Sequence, residues 1–347
     1  MKLRLNTTLL LLALYSLGCN SADNTSVNSK RINSDSAIGK VELYDKNAVS
    51  VFDTNATIEV IGKGFNWSEG PVWVADKKIL LFSDVPENKI FQWKENDSVK
   101  LFLADPGEAD NGGRKGGNGS NGLAIDANGK LILCQSGARH VARLENLTNS
   151  SKPLYTTLSA NYNGKKFNSP NDLVVDSRNN IYFTDPIYGL PQQENDPTRE
   201  LKFEGVFKIS PGGKTTLLID SISRPNGLAL SADEQTLYIA SSDNIKPAWY
   251  AYHLENGKIK NGGILFDALP LKEKALVKQG PDGLKLDKYG NIFSAGPDGI
   301  NIISPQGKLI GLIKIFNRMT SNCAFNETKS IVFITADDLI LKIRLRP

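Results

Sequence analysis

The chain has 347 residues, 40% apolar and 22% charged, an ordinary globular composition that excludes a disordered or fibrous protein. Lys and Arg number 41 against 37 Asp and Glu, and this dispersed formal net charge of +4 gives no electrostatic case for nucleic acid as a partner. Two histidines, His140 and His253, and three cysteines, Cys19, Cys134 and Cys323, are too few for a Cys/His zinc centre or a disulfide framework. Chemistry must therefore run mostly on oxygen and nitrogen from Asp, Glu, Asn, Ser, Tyr, Lys and Arg.

The chain opens with Lys2 and Arg4, then a mostly apolar run from Leu9 to Leu17 that is short for a membrane span. This pattern reads as a secretory signal over residues 1–18. Gly18 directly precedes Cys19, which resembles the junction of a bacterial lipoprotein signal. That resemblance implies a lipid on Cys19 and an exported, periplasmic or outer-membrane-anchored protein. The alternative is a plain secretory signal with a chance cysteine. Residues 19–40 hold twelve Asn, Ser, Asp or Thr among 22 and no aromatic residue, as a tether would. Loss of Lys2 and Arg4 leaves the mature chain nearly neutral, so the lipid would be its only hold on a membrane.

Residues 41–347 carry a repeat: a small or polar residue, then Asn, Asp or Glu, then usually Gly, then an apolar run. The copies are Ser68-Glu69-Gly70-Pro71-Val72-Trp73, Ser120-Asn121-Gly122-Leu123-Ala124-Ile125, Pro170-Asn171-Asp172-Leu173-Val174-Val175, Pro225-Asn226-Gly227-Leu228-Ala229-Leu230 and Pro281-Asp282-Gly283-Leu284-Lys285-Leu286, with a weaker Ser321-Asn322-Cys323-Ala324-Phe325. Their polar residues lie 52, 50, 55, 56 and 40 positions apart. Each copy leads through a turn into a second β-rich run (Lys78–Ser83, Lys130–Cys134, Asn180–Thr184, Thr236–Ala240, Asn291–Ser294, Ser330–Thr335), and often into a third. No long stretch has helical periodicity. Six such repeats predict an all-β, six-bladed propeller. Radial repetition then brings Glu69, Asn121, Asn171, Asn226, Asp282 and Asn322 to one ring around a central channel.

Two carboxylates with several amide oxygens suit a hard divalent cation. Like charges held close are costly without a cation between them. The plainer alternative is that each residue caps its own turn, as Asn and Asp commonly do; Glu69 fits that reading poorly.

From about Glu59 onward the chain resembles the gluconolactonase, or senescence-marker-protein (regucalcin), family. The resemblance is carried by Glu69-Gly70-Pro71-Val72-Trp73, Ser169-Pro170-Asn171-Asp172-Leu173, Thr184-Asp185-Pro186-Ile187-Tyr188-Gly189-Leu190, Arg224-Pro225-Asn226-Gly227-Leu228 and Pro281-Asp282-Gly283-Leu284. It implies one divalent ion in the central channel, calcium first, with magnesium, manganese or zinc as alternatives. The implied ligands are Glu69, Asn226 and Asp282, with Asn171 touching the metal or the substrate. By the same resemblance Asp282 doubles as general base, and the substrate is a small lactone or ester. Two departures put the sugar specificity in question. Ser169 stands where regucalcin-type members carry an arginine, and Ser136 where bacterial members often carry a histidine.

Asn121, Asn171 and Tyr188 are candidate substrate contacts, with Trp249 and Tyr250 as further aromatic candidates whose plainer role is packing. Asp105–Gly119, with six glycines and Arg114-Lys115, reads as a flexible rim loop and not a phosphate loop. Arg139-His140 reads as structural, and Cys134 and Cys323 as buried thiols. The leading function is a metal-dependent lactone hydrolase; a phosphotriesterase-like hydrolase and a non-catalytic binding propeller are the alternatives. The oligomeric state is left open.

Overall fold

The second strand of every repeat is apolar on both faces, so it can lie only inside a stack of sheets. In the computed structural model, which describes residues 37–45, 48, 51, 53–107, 119–146 and 153–346, these strands are Ile79–Asp84, Leu131–Gln135, Ile181–Asp185, Thr236–Ser241, Ile292–Gly296 and Ile331–Ala336. Four of the six are buried along their whole length, and Thr236–Ser241 and Ile331–Ala336 are buried past their first residue. Each pairs antiparallel with an inner strand that opens its repeat. The inner strands are Ser68–Val74, Ser120–Ile125, Leu173–Val175, Pro225–Leu230, Leu284–Leu286 and Asn322–Phe325. Two further strands complete each blade outward, giving six antiparallel blades.

The ring is closed by the chain's early segment. Ile58–Lys63 pairs with Leu339–Arg344 as the outer strand of blade six, with Ile58 opposite Ile343 and Val60 opposite Leu341. This borrowed strand explains why the last repeat is short. Gly39–Leu43 pairs with Leu309–Ile315 as a fifth strand on blade five, register Val41 to Ile313. Gly39 and Lys40 therefore belong to the propeller, two residues earlier than the composition of the tether suggests. Cys19 and the rest of residues 1–36 lie outside the described residues, as do residues 108–118 of the glycine-rich segment.

Apolar layers fill the space between neighbouring blades. Leu81, Ile90, Leu123 and Leu133 pack between blades one and two, and Phe167, Phe183 and Phe207 between blades two and three. Phe82, Trp93 and Phe333 pack between blades six and one. Burial of such side chains contributes about 1.5–3 kcal/mol each before entropy is counted. Cys134 and Cys323 are free, buried thiols in these layers. Trp249 lies between blades four and five with its indole N–H donating to Ser294 Oγ at 2.7 Å, and Tyr250 stacks on Tyr252. Both are packing residues and not pocket walls. Arg139 is also structural: it donates to the Phe167 and Thr198 carbonyls.

Candidate metal and catalytic site

At the ring end of the inner strands, the blade backbones crowd together. Gly70 has φ +52°, and a Cβ there would stand 2.1 Å from the Asn121 carbonyl oxygen. A Cβ on Gly283 would overlap the Asn322 side chain at 1.9 Å. Glycine at these places lets the strands approach, and the residue just before it then projects at the axis. Register shifts between Glu69 and Val72, Ser120 and Leu123, and Pro225 and Leu228 bulge three of the strands there. Such bulges re-aim a side chain out of the ladder. Hydroxyls then tie blade to blade: Ser83 Oγ to the Asn121 carbonyl (2.8 Å), Thr184 Oγ1 to that of Asn226 (2.7 Å), and Ser321 Oγ to that of Ser68 (2.6 Å).

The result is one cavity of about 360 Å³ at the channel mouth. Its polar lining includes Glu69, Asn121, Asn171, Asn226 and Asp282, so five of the six predicted ring residues converge. Tyr188 lines it too, with the Arg224 guanidinium 5.4 Å from its ring centroid. Asn322 does not line the cavity. Its Nδ2 reaches Glu69 Oε2 at 3.4 Å and Asp172 Oδ2 at 3.2 Å, beneath the ring. Trp67, Val85, Gln279, Ser242 and Met319 also line the cavity and carry no recognisable signal in the sequence.

Most hydroxyl and amide groups on these walls are already engaged. Ser136 Oγ donates to the Pro170 carbonyl at 2.5 Å and Ser169 Oγ to that of Pro186 at 2.6 Å. Gln279 exchanges two hydrogen bonds with the Thr320 backbone. Ser242 Oγ accepts from Asn226 Nδ2 at 2.9 Å, which fixes that amide. Two atoms stand out against this background: Asp282 Oδ1 and Asn121 Oδ1 are buried and have no hydrogen-bond partner among the described residues. Buried polar atoms are nearly always paired, so each exception calls for an account.

Burial, together with the nearby charges of Glu69 and Asp172, pushes the Asp282 carboxyl well above the ordinary range. Glu69 is raised to about 7, again chiefly by burial, with the Asp172 charge adding to the shift and the Gly70 N–H opposing it. Two carboxyls thus resist joint ionisation unless a positive charge joins them. Among the described residues no three His, Cys, Asp or Glu side chains stand together as a metal cluster. An ion here would draw on amide oxygens of Asn171 and Asn226 as well as on the carboxylates. Oxygen-rich mixed sets of this kind suit calcium and its hard relatives.

Two residues below the ring were not singled out from the sequence. Asp172 is 2% exposed, and Lys285 Nζ lies 3.5 Å from its Oδ2.

The model of the family described as SMP-30/Gluconolactonase/LRE-like region matches residues 67–337. A gluconolactonase of Zymomonas mobilis is 36% identical over 318 residues, covering 90% of this chain and 87% of that protein. A regucalcin of Xenopus laevis is 26% identical over 77% of this chain and 81% of its own length. Among solved structures, a gluconolactonase from Xanthomonas campestris superposes with a TM-score of 0.75 at 27% identity, covering 88% of this chain and 94% of that one. The chain belongs to the SMP-30/gluconolactonase/LRE-like family.

Proposed function

We propose that the chain is a lactonase that hydrolyses a sugar lactone or a related cyclic ester with the help of one divalent cation, calcium first. The observation that carries this reading is the convergence of Glu69, Asn171, Asn226 and Asp282 on one cavity, with Asp282 Oδ1 buried and without a partner among the described residues. The gluconolactonase relatives supply the reaction class. Glu69, Asn171, Asn226 and Asp282 would hold the ion. When bound, such an ion polarises the ester carbonyl and acidifies a water beside it.

The chain's own residues do the rest. The cavity, about 360 Å³ and lined by Trp67 and Tyr188 among others, would take a small lactone, and Asn121 Oδ1 would accept a hydrogen bond from a substrate hydroxyl. Asp282 takes a proton from the attacking water as its oxygen bonds to the carbonyl carbon. The ring C–O bond then breaks, and the proton goes on to the departing ring oxygen, giving the open hydroxy acid. Burial and the neighbouring carboxyls disfavour the charged form of Asp282 in the metal-free protein; a bound cation would favour the ionised carboxylate, the form that can accept the proton. Export of the mature chain with a lipid on Cys19 is the matching proposal for its location, supported by the Gly18-Cys19 junction.

The test is hydrolysis of glucono-lactone by protein stripped with EDTA, before and after calcium is restored. Loss and recovery of turnover is the expected result. Full activity in EDTA would overturn the ion dependence. No activity on any lactone with calcium present would favour a binding propeller instead.

A further inference from the structure

Charge breaks the repeat at two places on the inner strands. The residue after each ring position is Gly70, Gly122, Gly227 or Gly283 in four copies, Cys323 in the last, and Asp172 in the third. Three positions after the ring residue stand Val72, Ala124, Val174, Ala229 and Phe325, but Lys285 in the fifth copy.

The two exceptions meet. Lys285 Nζ lies 3.5 Å from Asp172 Oδ2, spanning from blade five to blade three. It also donates to the Leu284 carbonyl at 3.0 Å and reaches Asn322 Oδ1 at 3.4 Å. The Asn322 amide has a determined orientation, because the Cys323 N–H donates to its Oδ1 at 2.9 Å. Its Nδ2 is thereby turned to Asp172 Oδ2 at 3.2 Å and Glu69 Oε2 at 3.4 Å. A polar chain therefore runs from Lys285 through Asp172 and Asn322 to Glu69. Asp172 is almost wholly buried, and a buried carboxylate without a counter-charge is severely destabilising. Lys285 is not among the described residues that line the cavity.

We infer that Lys285 is the built-in counter-ion of the channel: it balances Asp172, steadies Glu69 through Asn322, and moderates the ring's hold on a divalent cation. The inference rests on the ion-binding reading of the ring. With Lys285 in place, a cation entering the ring meets the charge of two carboxylates; without it, three. Charges this close inside a protein interact far more strongly than in water. Lys285 is a positioning residue that also sets affinity.

The experiment compares wild type, Lys285→Met, Asp172→Asn and the double variant. Calcium binding is followed by calorimetry, and melting in EDTA and in saturating calcium. Methionine keeps the apolar stem and removes the charge. Lys285→Met is expected to melt lower in EDTA, to recover most of the loss in calcium, and to bind calcium on the order of tenfold more tightly. The double variant, lacking both charges, should melt in EDTA closer to wild type than Lys285→Met does. A lysine that only packs would lower melting equally in both buffers and leave calcium affinity unchanged; that result overturns the inference. If wild type binds no calcium, the ion reading fails, and the Asp172–Lys285 coupling in EDTA alone decides the counter-ion role. Independent, additive effects of the two substitutions there would reject it.

Discussion

The two ends of the inner strands carry the same chemistry and do opposite things with it. At the far end from the cavity, Asp126, Asp176 and Asp287 follow the strands of blades two, three and five. Each Oδ1 accepts two backbone N–H groups of the turn that follows: those of Asn128 and Lys130 (2.9 and 2.8 Å), of Arg178 and Asn180 (3.0 and 2.7 Å), and of Tyr289 and Asn291 (2.8 Å each). The carboxylate there is consumed by the fold, in the manner of an Asx turn. At the cavity end, Asp282 and Asn121 keep a buried oxygen with no partner among the described residues. Residue type alone does not mark a functional acid; the unspent oxygen does. The capping alternative raised for the ring holds at that far end, and within the ring for Glu69 and Asn322, whose side-chain oxygens accept the next residue's N–H at 2.7 and 2.9 Å.

The largest effect that separates the ends is on turnover. Asp282→Asn is expected to lose on the order of 10²-fold or more in rate under saturating calcium, since an amide keeps an oxygen but cannot take a proton. Its melting temperature in EDTA should hold or rise, because a crowded buried carboxyl is gone. Asp176→Ala should do the reverse. It frees two backbone N–H groups and should cost about 1–3 kcal/mol of stability, with turnover per folded molecule unchanged. Melting curves and kinetics on the two variants decide the matter. If Asp282→Asn unfolds while Asp176→Ala loses turnover, the assignment of the two ends is wrong.

Most of this architecture was legible because a propeller repeats its geometry. A polar residue and an apolar run returning six times, with a glycine between them in four copies, place Glu69, Asn121, Asn171, Asn226 and Asp282 around one cavity without any long-range information. What escaped was whatever the repeat does not carry. Ile58–Lys63 closes blade six, yet in sequence it lies far from its partner Leu339–Arg344 and precedes the first copy of the motif. Asn322 has the right residue type but is drawn below the ring by Glu69 and Asp172. Asp172 and Lys285 were visible only as exceptions, and an exception acquires meaning when its partner across the channel is known. Trp67, Gln279 and Met319 come from loops of unrelated length, so no periodicity foretells them.

A smaller and graded effect should appear with pH in metal-free protein. Glu69 is raised to about 7 and Asp282 is raised as well, both chiefly by burial, so between the ordinary carboxylate range and neutrality the native state binds more protons than the unfolded chain. Stability in EDTA must therefore fall as pH rises through that window. Asp185, also raised to about 7 by burial, contributes with the same sign. Glu69→Gln should flatten the trend in part and leave the Asp185 share. In saturating calcium the added stabilisation should grow with pH, because the ion requires the ionised carboxyls. Melting temperatures from pH 5 to 8, with and without calcium, check both signs. A metal-free protein that gains stability over this range would mean that the cavity-end carboxyls are as well satisfied as those in the far turns.

The smallest effect belongs to Asn121, and it tests the unspent-oxygen criterion where no proton moves. Asn121 lines the cavity, its Oδ1 is buried, and among the described residues nothing donates to it. An acceptor that no described residue engages adds no protein hydrogen bond to stability. Asn121→Ala should therefore leave the melting temperature in EDTA nearly unchanged, unlike truncation of a satisfied polar group. If a substrate hydroxyl donates to that oxygen, its loss removes one hydrogen bond, about 1 kcal/mol net. That amounts to roughly a fivefold rise in KM on a hydroxylated lactone, with kcat held, because the bond is made equally in ground and transition states. A lactone lacking ring hydroxyls should show no such rise, as it has nothing to donate. The comparison of the two lactones carries the decision. An equal change on both would mean that Asn121 shapes the cavity without reading the substrate. A fall in kcat with KM unchanged would instead bring its oxygen into the reacting centre beside Asp282.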